Sequence, residues 1–158
     1  MHPSKLKFIY LSLFCAYILL LLPWSGWALT LRPDFMLLVI IFWLIRAPNL
    51  CHVGTAWLVG LFVDLATGGI FGQYALVYTV TAFFAIYYQK RLVLFSGMQQ
   101  LLYVCLLLFI AQVTLLILKT FAGAEFIGWV YFMPSIMGVL LWFVAMTLGL
   151  NTGERLRD

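Results

Sequence analysis

The sequence has very few ionisable side chains for its length. Only 9% of its 158 residues are charged, with nine Lys or Arg and five Asp or Glu, whereas 66% are hydrophobic. Average soluble domains are about 25% charged, so this chain lacks the polar surface that a soluble protein needs. The scarcity of charge excludes a soluble domain and indicates an integral membrane protein. At this length we expect one polytopic domain over residues 1–158.

The groups that catalysis and metal binding require are equally scarce. Ser12, Ser25, Ser96 and Ser135 have no plausible histidine partner beyond His2 and His52, and the three cysteines show no repeated spacing. Cys51 and His52 are the one adjacent pair of potential metal ligands, with no further ligand close in sequence. No glycine-rich loop follows a strand, and the cations form no basic patch. We therefore expect no enzyme activity, cofactor, metal site or nucleic-acid partner.

Long apolar runs, separated by short polar turns, make up most of the chain. They predict an all-α bundle of about six transmembrane helices. A helix needs roughly 20 residues to cross a hydrocarbon core about 30 Å thick. The second run is short, so that helix either is short or begins in residues 27–31 and bends at Pro33. Pro134 is expected to interrupt the last helix. The predicted spans are residues 8–22, 34–45, 50–67, 70–88, 98–118 and 129–150.

The positive charges are distributed unevenly between the two sides of this predicted bundle. Cytoplasmic loops of membrane proteins are enriched in Lys and Arg. With six spans, seven of the nine cations share a side with both termini, so both termini are predicted to be cytoplasmic. Those seven cations are Lys5, Lys7, Arg46, Lys90, Arg91, Arg155 and Arg157, and the two on the opposite side are Arg32 and Lys119.

A stripe of small residues carries one carboxylate at predicted membrane depth. Ala56, Gly60, Asp64 and Gly68 recur every four residues, which places them along one helix face. Small residues let a neighbouring helix approach closely in a bilayer. An ionised carboxylate that faces lipid costs about 2.5 kcal/mol or more. We therefore predict that residues 56–68 form a packing seam and that Asp64 faces protein.

Two partners are predicted for the Asp64 carboxylate. It pairs with Arg32, or it caps backbone amides at the reversal over residues 68–72, where Gly68, Gly69 and Gly72 allow positive φ angles. Either arrangement would lock the third span against the second.

Three roles are open to Asp64 from the residues alone. It could be a structural anchor between helices, which we favour, or a contact with a membrane partner. It could also be a proton or cation site of a transporter, with Thr79, Thr81 and Gln112 as its polar companions.

An ordered set of short motifs runs through the first half of the chain. Arg32, Pro33 and Asp34 open the second span, a proline-containing turn follows at residues 46–49, and the glycines that flank Asp64 come next. In this order the chain resembles MreD, the bacterial rod shape-determining membrane protein, along its whole length. The resemblance implies that the following residues are structural family positions: Arg32, Pro33, Asp34, Gly60, Asp64, Gly68 and Gly72.

The resemblance also implies a function. It implies a non-enzymatic, multi-pass scaffold in the bacterial cytoplasmic (inner) membrane that maintains rod shape as a subunit of the cell-wall elongation (rod) complex. Its expected partners are an MreC-like bitopic membrane protein and, indirectly, MreB, RodA and the elongation transpeptidase. The family is also similar in fold to the substrate-binding subunits of energy-coupling-factor transporters. The alternative is therefore a small-molecule-binding subunit of a membrane transporter.

Overall fold

The computed structural model describes residues 3–92, 96–125 and 128–150, and in those ranges the chain forms helices and turns without a strand. Helices satisfy their backbone polar groups internally, as a chain surrounded by lipid must. The predicted cations Arg155 and Arg157 lie outside the described residues. In chain order the helices are α1 (Pro3–Leu21), α2 (Trp27–Leu31), α3 (Phe35–Arg46), α4 (Val53–Thr67), α5 (Gln73–Leu92), α6 (Gly97–Phe121) and α7 (Met133–Ala145).

Several of these helices have the length and composition of membrane spans. Within the described part of the chain, three stretches are long and apolar enough to cross a bilayer: Trp27–Arg46, Gly97–Phe121 and Trp129–Leu148. Two shorter helical stretches, Leu6–Leu21 and Val53–Thr67, are also apolar. These findings confirm the predicted all-α, membrane-type architecture.

The second predicted span consists of two helices with a break between them. α2 ends at Leu31, and Arg32 is extended with ψ 113°, as the residue before a proline usually is. Asp34 is then the N-cap of α3 and accepts a hydrogen bond from the Leu37 amide at 3.1 Å. Of the two arrangements expected for this segment, the one that begins at residue 27 and bends at Pro33 is therefore correct.

Helix α3 lies at the centre of the bundle. It packs against α1, α4, α5 and α7, and the side chains of Ile41 and Leu44 are fully buried. Between α1 and α3 the Trp43 indole N–H donates to the Ser12 hydroxyl at 2.8 Å. Along 18 residues of the Trp27–Arg46 stretch 39% are buried, against 11% along 18 residues of Trp129–Leu148. The bundle is therefore built around its third helix, with α7 at its margin.

The last predicted span differs from the expectation at its start. Residues Trp129–Phe132 form a single 3-10 turn, and Pro134 lies in the first turn of α7. The predicted span is thus interrupted next to Pro134, where the 3-10 turn gives way to α7, and a proline in the first helical turn removes no hydrogen bond from that helix. A π-helical turn, Met146–Leu150, follows α7. Gly138 of α7 is buried against the Leu108 side chain of α6.

Candidate functional site

The small-residue stripe of α4 forms a close contact with α5. Ala56, Gly60 and Asp64 are all buried, and α5 is the helix that α4 packs on most extensively. A methyl group placed on Gly60 would lie 2.5 Å from the Ala75 Cα and 2.7 Å from the Tyr74 carbonyl oxygen. Only a glycine lets the two backbones meet here, so the predicted seam is confirmed from residue 56 to residue 64.

Helix α4 ends in the turn that the glycines predict. Gly68 caps it in the left-handed conformation with φ +65°, and Gly72 has φ +93°. Gly68 is exposed, so it terminates the helix and does not extend the buried seam. Gly69 does not adopt a positive φ, contrary to expectation.

The Asp64 carboxylate caps the start of α5. Oδ2 accepts hydrogen bonds from the Gly72 and Ala75 amides at 3.0 and 3.1 Å, and Oδ1 accepts one from the Tyr74 amide at 2.8 Å. The first amides of a helix have no partner within the helix, and the positive end of the helix dipole favours a negative charge. We call this arrangement the Asp64 cap. The carboxylate that it holds is 3% exposed.

The Asp64 cap decides between the two predicted partners. The carboxylate caps amides at the reversal, as the second alternative states, and the described residues include no Asp64–Arg32 ion pair. The expected helix pair is wrong, because the cap joins α4 to α5, the third predicted span to the fourth. Four-residue spacing identifies the buried face of a helix but not the helix that covers it.

A second carboxylate, that of Asp34, accepts a hydrogen bond from a side chain of α5. The Tyr78 hydroxyl donates to Asp34 Oδ1 at 2.6 Å, and Tyr78 is fully buried. The same Asp34 oxygen accepts from the Leu37 amide, so this residue both caps α3 and ties it to α5. Sequence analysis missed Tyr78, because 44 residues separate it from Asp34 and no spacing connects them. A tyrosine amid the apolar residues of a predicted span was the available signal.

The polar residues suggested as companions of Asp64 do not line a path with it. Thr79 and Thr81 donate to the Ala75 and Val77 carbonyls of their own helix. Gln112 instead donates across helices to the Tyr131 carbonyl at 2.7 Å. The side chains of all three are therefore engaged within or between helices.

The interior of the bundle between these helices is filled by side chains. Ile41, Val104 and Leu107 are almost or completely inaccessible to solvent. Among the described residues, no group of three or more His, Cys, Asp or Glu side chains could hold a metal ion. His52 is exposed at the start of α4, and the neighbouring Cys51 is buried. The geometry therefore offers helix-to-helix connections rather than reacting groups.

Comparisons with known proteins give one family. The model of a family described as rod shape-determining protein MreD matches residues 4–150. The rod shape-determining protein MreD of Haemophilus influenzae is 30% identical over 138 residues, which are 85% of this chain and 84% of that protein. No solved structure matches the chain significantly. Since the family model matches the chain almost from end to end, this helical membrane-type protein belongs to the MreD family of rod shape-determining proteins.

Proposed function

We propose that the protein is a non-enzymatic scaffold subunit of the rod complex, which maintains rod shape by binding an MreC-like bitopic membrane protein. Through that partner it would be linked to MreB, RodA and the elongation transpeptidase. The observation that carries this proposal is the family match over residues 4–150. The geometry supports it, because the partly buried carboxylate of Asp34 and the buried carboxylate of Asp64 accept hydrogen bonds that hold helices together.

The proposed topology is a single domain of six spans in the bacterial inner membrane, with both termini in the cytoplasm. The helix order supports it: α2 and α3 serve as one span, and non-helical residues separate α3 from α4 and α4 from α5. Cysteine labelling in intact cells tests it, after replacement of the native cysteines. Cysteines introduced at either terminus should be protected from a membrane-impermeant label, and a cysteine in place of Glu125 should be labelled. Labelling of one terminus alone would overturn the topology.

The seven family positions are proposed to be structural. Arg32, Pro33 and Asp34 form the break and the cap between α2 and α3, and Gly60, Asp64, Gly68 and Gly72 form the α4–α5 connection. None of these roles involves a reacting substrate, which agrees with a scaffold.

Depletion and cross-linking test the scaffold function. Cells depleted of the protein should lose rod shape, and re-expression of the chain should restore it. Photo-crosslinkers on the exposed apolar face of α7, at Leu140 or Val144, should capture an MreC-like protein in native membranes. Normal rods after clean removal of the protein would contradict the proposed function, whatever the crosslinks show.

A further inference from the structure

A cleft lies where the start of α5, the end of α6, residues 122–125 and Tyr131 meet. It is partly open and has a volume of about 450 Å³, which is in the usual range of small-ligand sites. Polar and apolar side chains share its walls. We call it the end cleft, and the side chains used below are those of Ile70, Gln73, Leu116, Lys119, Glu125 and Tyr131.

Gln73 brings an unused hydrogen-bond donor to the end cleft. Its side chain is 7% exposed, and its buried Nε2 has no hydrogen-bond partner. Buried donors in proteins nearly always have an acceptor, because an unsatisfied one costs about 1–3 kcal/mol. A buried amide that lines a cleft without an acceptor indicates a ligand that supplies an oxygen.

Lys119 brings a positive charge to the same cleft. It lies in the last turn of α6, and its Nζ is 5.5 Å from the centre of the Tyr131 ring. The aromatic face holds the ammonium group near one wall of the cleft. A cation and an unsatisfied N–H donor on the walls of one cleft fit an anionic oxygen acceptor, and a phosphate group can accept from both.

The walls and the position of the end cleft favour a lipid as the source of that phosphate. Ile70 and Leu116 provide apolar surface beside the two donors. The cleft is at the end of Gly97–Phe121, a stretch of membrane-spanning length, and the ends of such helices lie at the level of lipid headgroups. Glu125 is exposed at the rim, where it could face the ammonium group of an aminophospholipid.

We propose that the end cleft binds the phosphate of a phospholipid headgroup. The Gln73 amide and the Lys119 ammonium group donate to the phosphate oxygens, and an acyl chain lies along Ile70 and Leu116. The protein thus holds one lipid as a specific ligand, at a place distinct from the Asp64 cap.

Native mass spectrometry of the full chain in detergent tests this proposal, with phosphatidylethanolamine as the probe. We expect one lipid to bind saturably and dioleoylglycerol, which lacks the phosphate, not to bind. Lys119→Gln and Gln73→Leu should each weaken binding about tenfold, and Lys119→Arg should retain most of it. The matched control is Lys90→Gln, which removes an exposed cation at the opposite end of α5.

Gln73→Leu separates ligand binding from structure. Because it removes a buried donor without a partner, the lipid-free protein should melt at the same temperature or higher, although the lipid binds more weakly. Equal weakening by Lys119→Gln and Lys90→Gln, or no saturable lipid on the unaltered chain, would overturn the proposal. If inorganic phosphate displaces the lipid at millimolar concentration, the phosphate site is supported and its ligand is the free ion.

Discussion

The α4–α5 and α6–α7 pairs are joined in different ways. α4 and α5 meet backbone to backbone at Gly60, and the Asp64 cap adds three hydrogen bonds to a buried carboxylate. Gln112 of α6 makes two side-chain hydrogen bonds to the chain that follows. Its Nε2 donates to the Tyr131 carbonyl in the 3-10 turn, and its Oε1 accepts from the Ser135 hydroxyl of α7 at 3.4 Å. At Gly138 the contact is with a flexible leucine side chain.

This difference in packing and hydrogen bonding shows which helix pair is held more rigidly. Apolar surface alone does not drive helices together in lipid, so close packing and interhelical hydrogen bonds decide which pairs are held firmly. By that measure α4–α5 is the firmly held pair, and the stretch that contains α7 is 11% buried, the lowest of the three long apolar stretches. The exposed apolar face of α7 is accordingly where we expect partner contacts. Four substitution pairs test this comparison.

The largest effect is expected at Gly60. Gly60→Leu would drive a side chain into the Ala75 backbone, which cannot yield as a flexible side chain can. We expect a loss above about 4 kcal/mol and little folded protein. Gly54→Leu on the same helix is the matched control, because nothing lies within 4 Å of its added carbon. Folded yield and thermal unfolding in detergent measure both variants, and similar behaviour of the two would refute the backbone contact.

Substitution of Asp64 should come next. Asp64→Leu leaves the amides of Gly72, Tyr74 and Ala75 without their acceptor, which should cost about 3 kcal/mol. Asp64→Asn keeps one acceptor oxygen but turns an amide donor towards an N–H, so about 1–2 kcal/mol should be lost. Thermal unfolding should therefore rank Leu below Asn and Asn below the unaltered chain. An Asn variant as unstable as the Leu variant would contradict the cap as the source of stability.

A smaller loss is expected from Tyr78→Phe. The change keeps the ring packed and removes the hydroxyl that donates to Asp34, a bond to a charged group worth about 2 kcal/mol. Tyr87→Phe is the control, because Tyr87 is on the same helix and is 71% exposed. A lower unfolding midpoint for Tyr78→Phe than for Tyr87→Phe would measure the α3–α5 connection. Equal midpoints would mean that the hydrogen bond to Asp34 does not stabilise the fold.

The smallest effect is expected at Gln112. Gln112→Leu removes the bond to the Tyr131 carbonyl and should cost about 1 kcal/mol. Hydrogen exchange should rise in α7 and remain unchanged in α4 and α5. Thr114→Val is the control, since the Thr114 hydroxyl donates within its own helix to Ile110. Faster exchange in α5 after Gln112→Leu would mean that the two pairs are not independent.

Local features of the fold could be predicted from sequence. The apolar runs predicted the helices, the glycines predicted the turn after α4, and the spacing of Ala56, Gly60 and Asp64 predicted a buried face. Each of these depends on residues within a few turns of one another, where helical geometry relates spacing to position.

Connections between distant parts of the chain could not be predicted in this way. Asp34 and Tyr78 meet only because α3 lies at the centre of the bundle, and the same is true of Trp43 and Ser12. For the same reason the prediction that Asp64 locks the third span against the second was wrong, and the carboxylate binds the start of α5 instead. Which helices are neighbours depends on the packing of all of them together, and periodicity carries no information on that.

The length of α4 has a consequence for the surrounding lipid. Its 15 residues rise about 22 Å, whereas the hydrocarbon core of a bilayer is about 30 Å thick. The outward side of the helix carries Trp57, Phe62 and Leu65, which must meet acyl chains. Such a hydrophobic mismatch is relieved by thinning of the bilayer beside α4, by flanking side chains that reach to the interface or by association with other helices. Lipids with short acyl chains would reduce the mismatch between α4 and the hydrocarbon core. Bilayer thickness would therefore act directly on this protein.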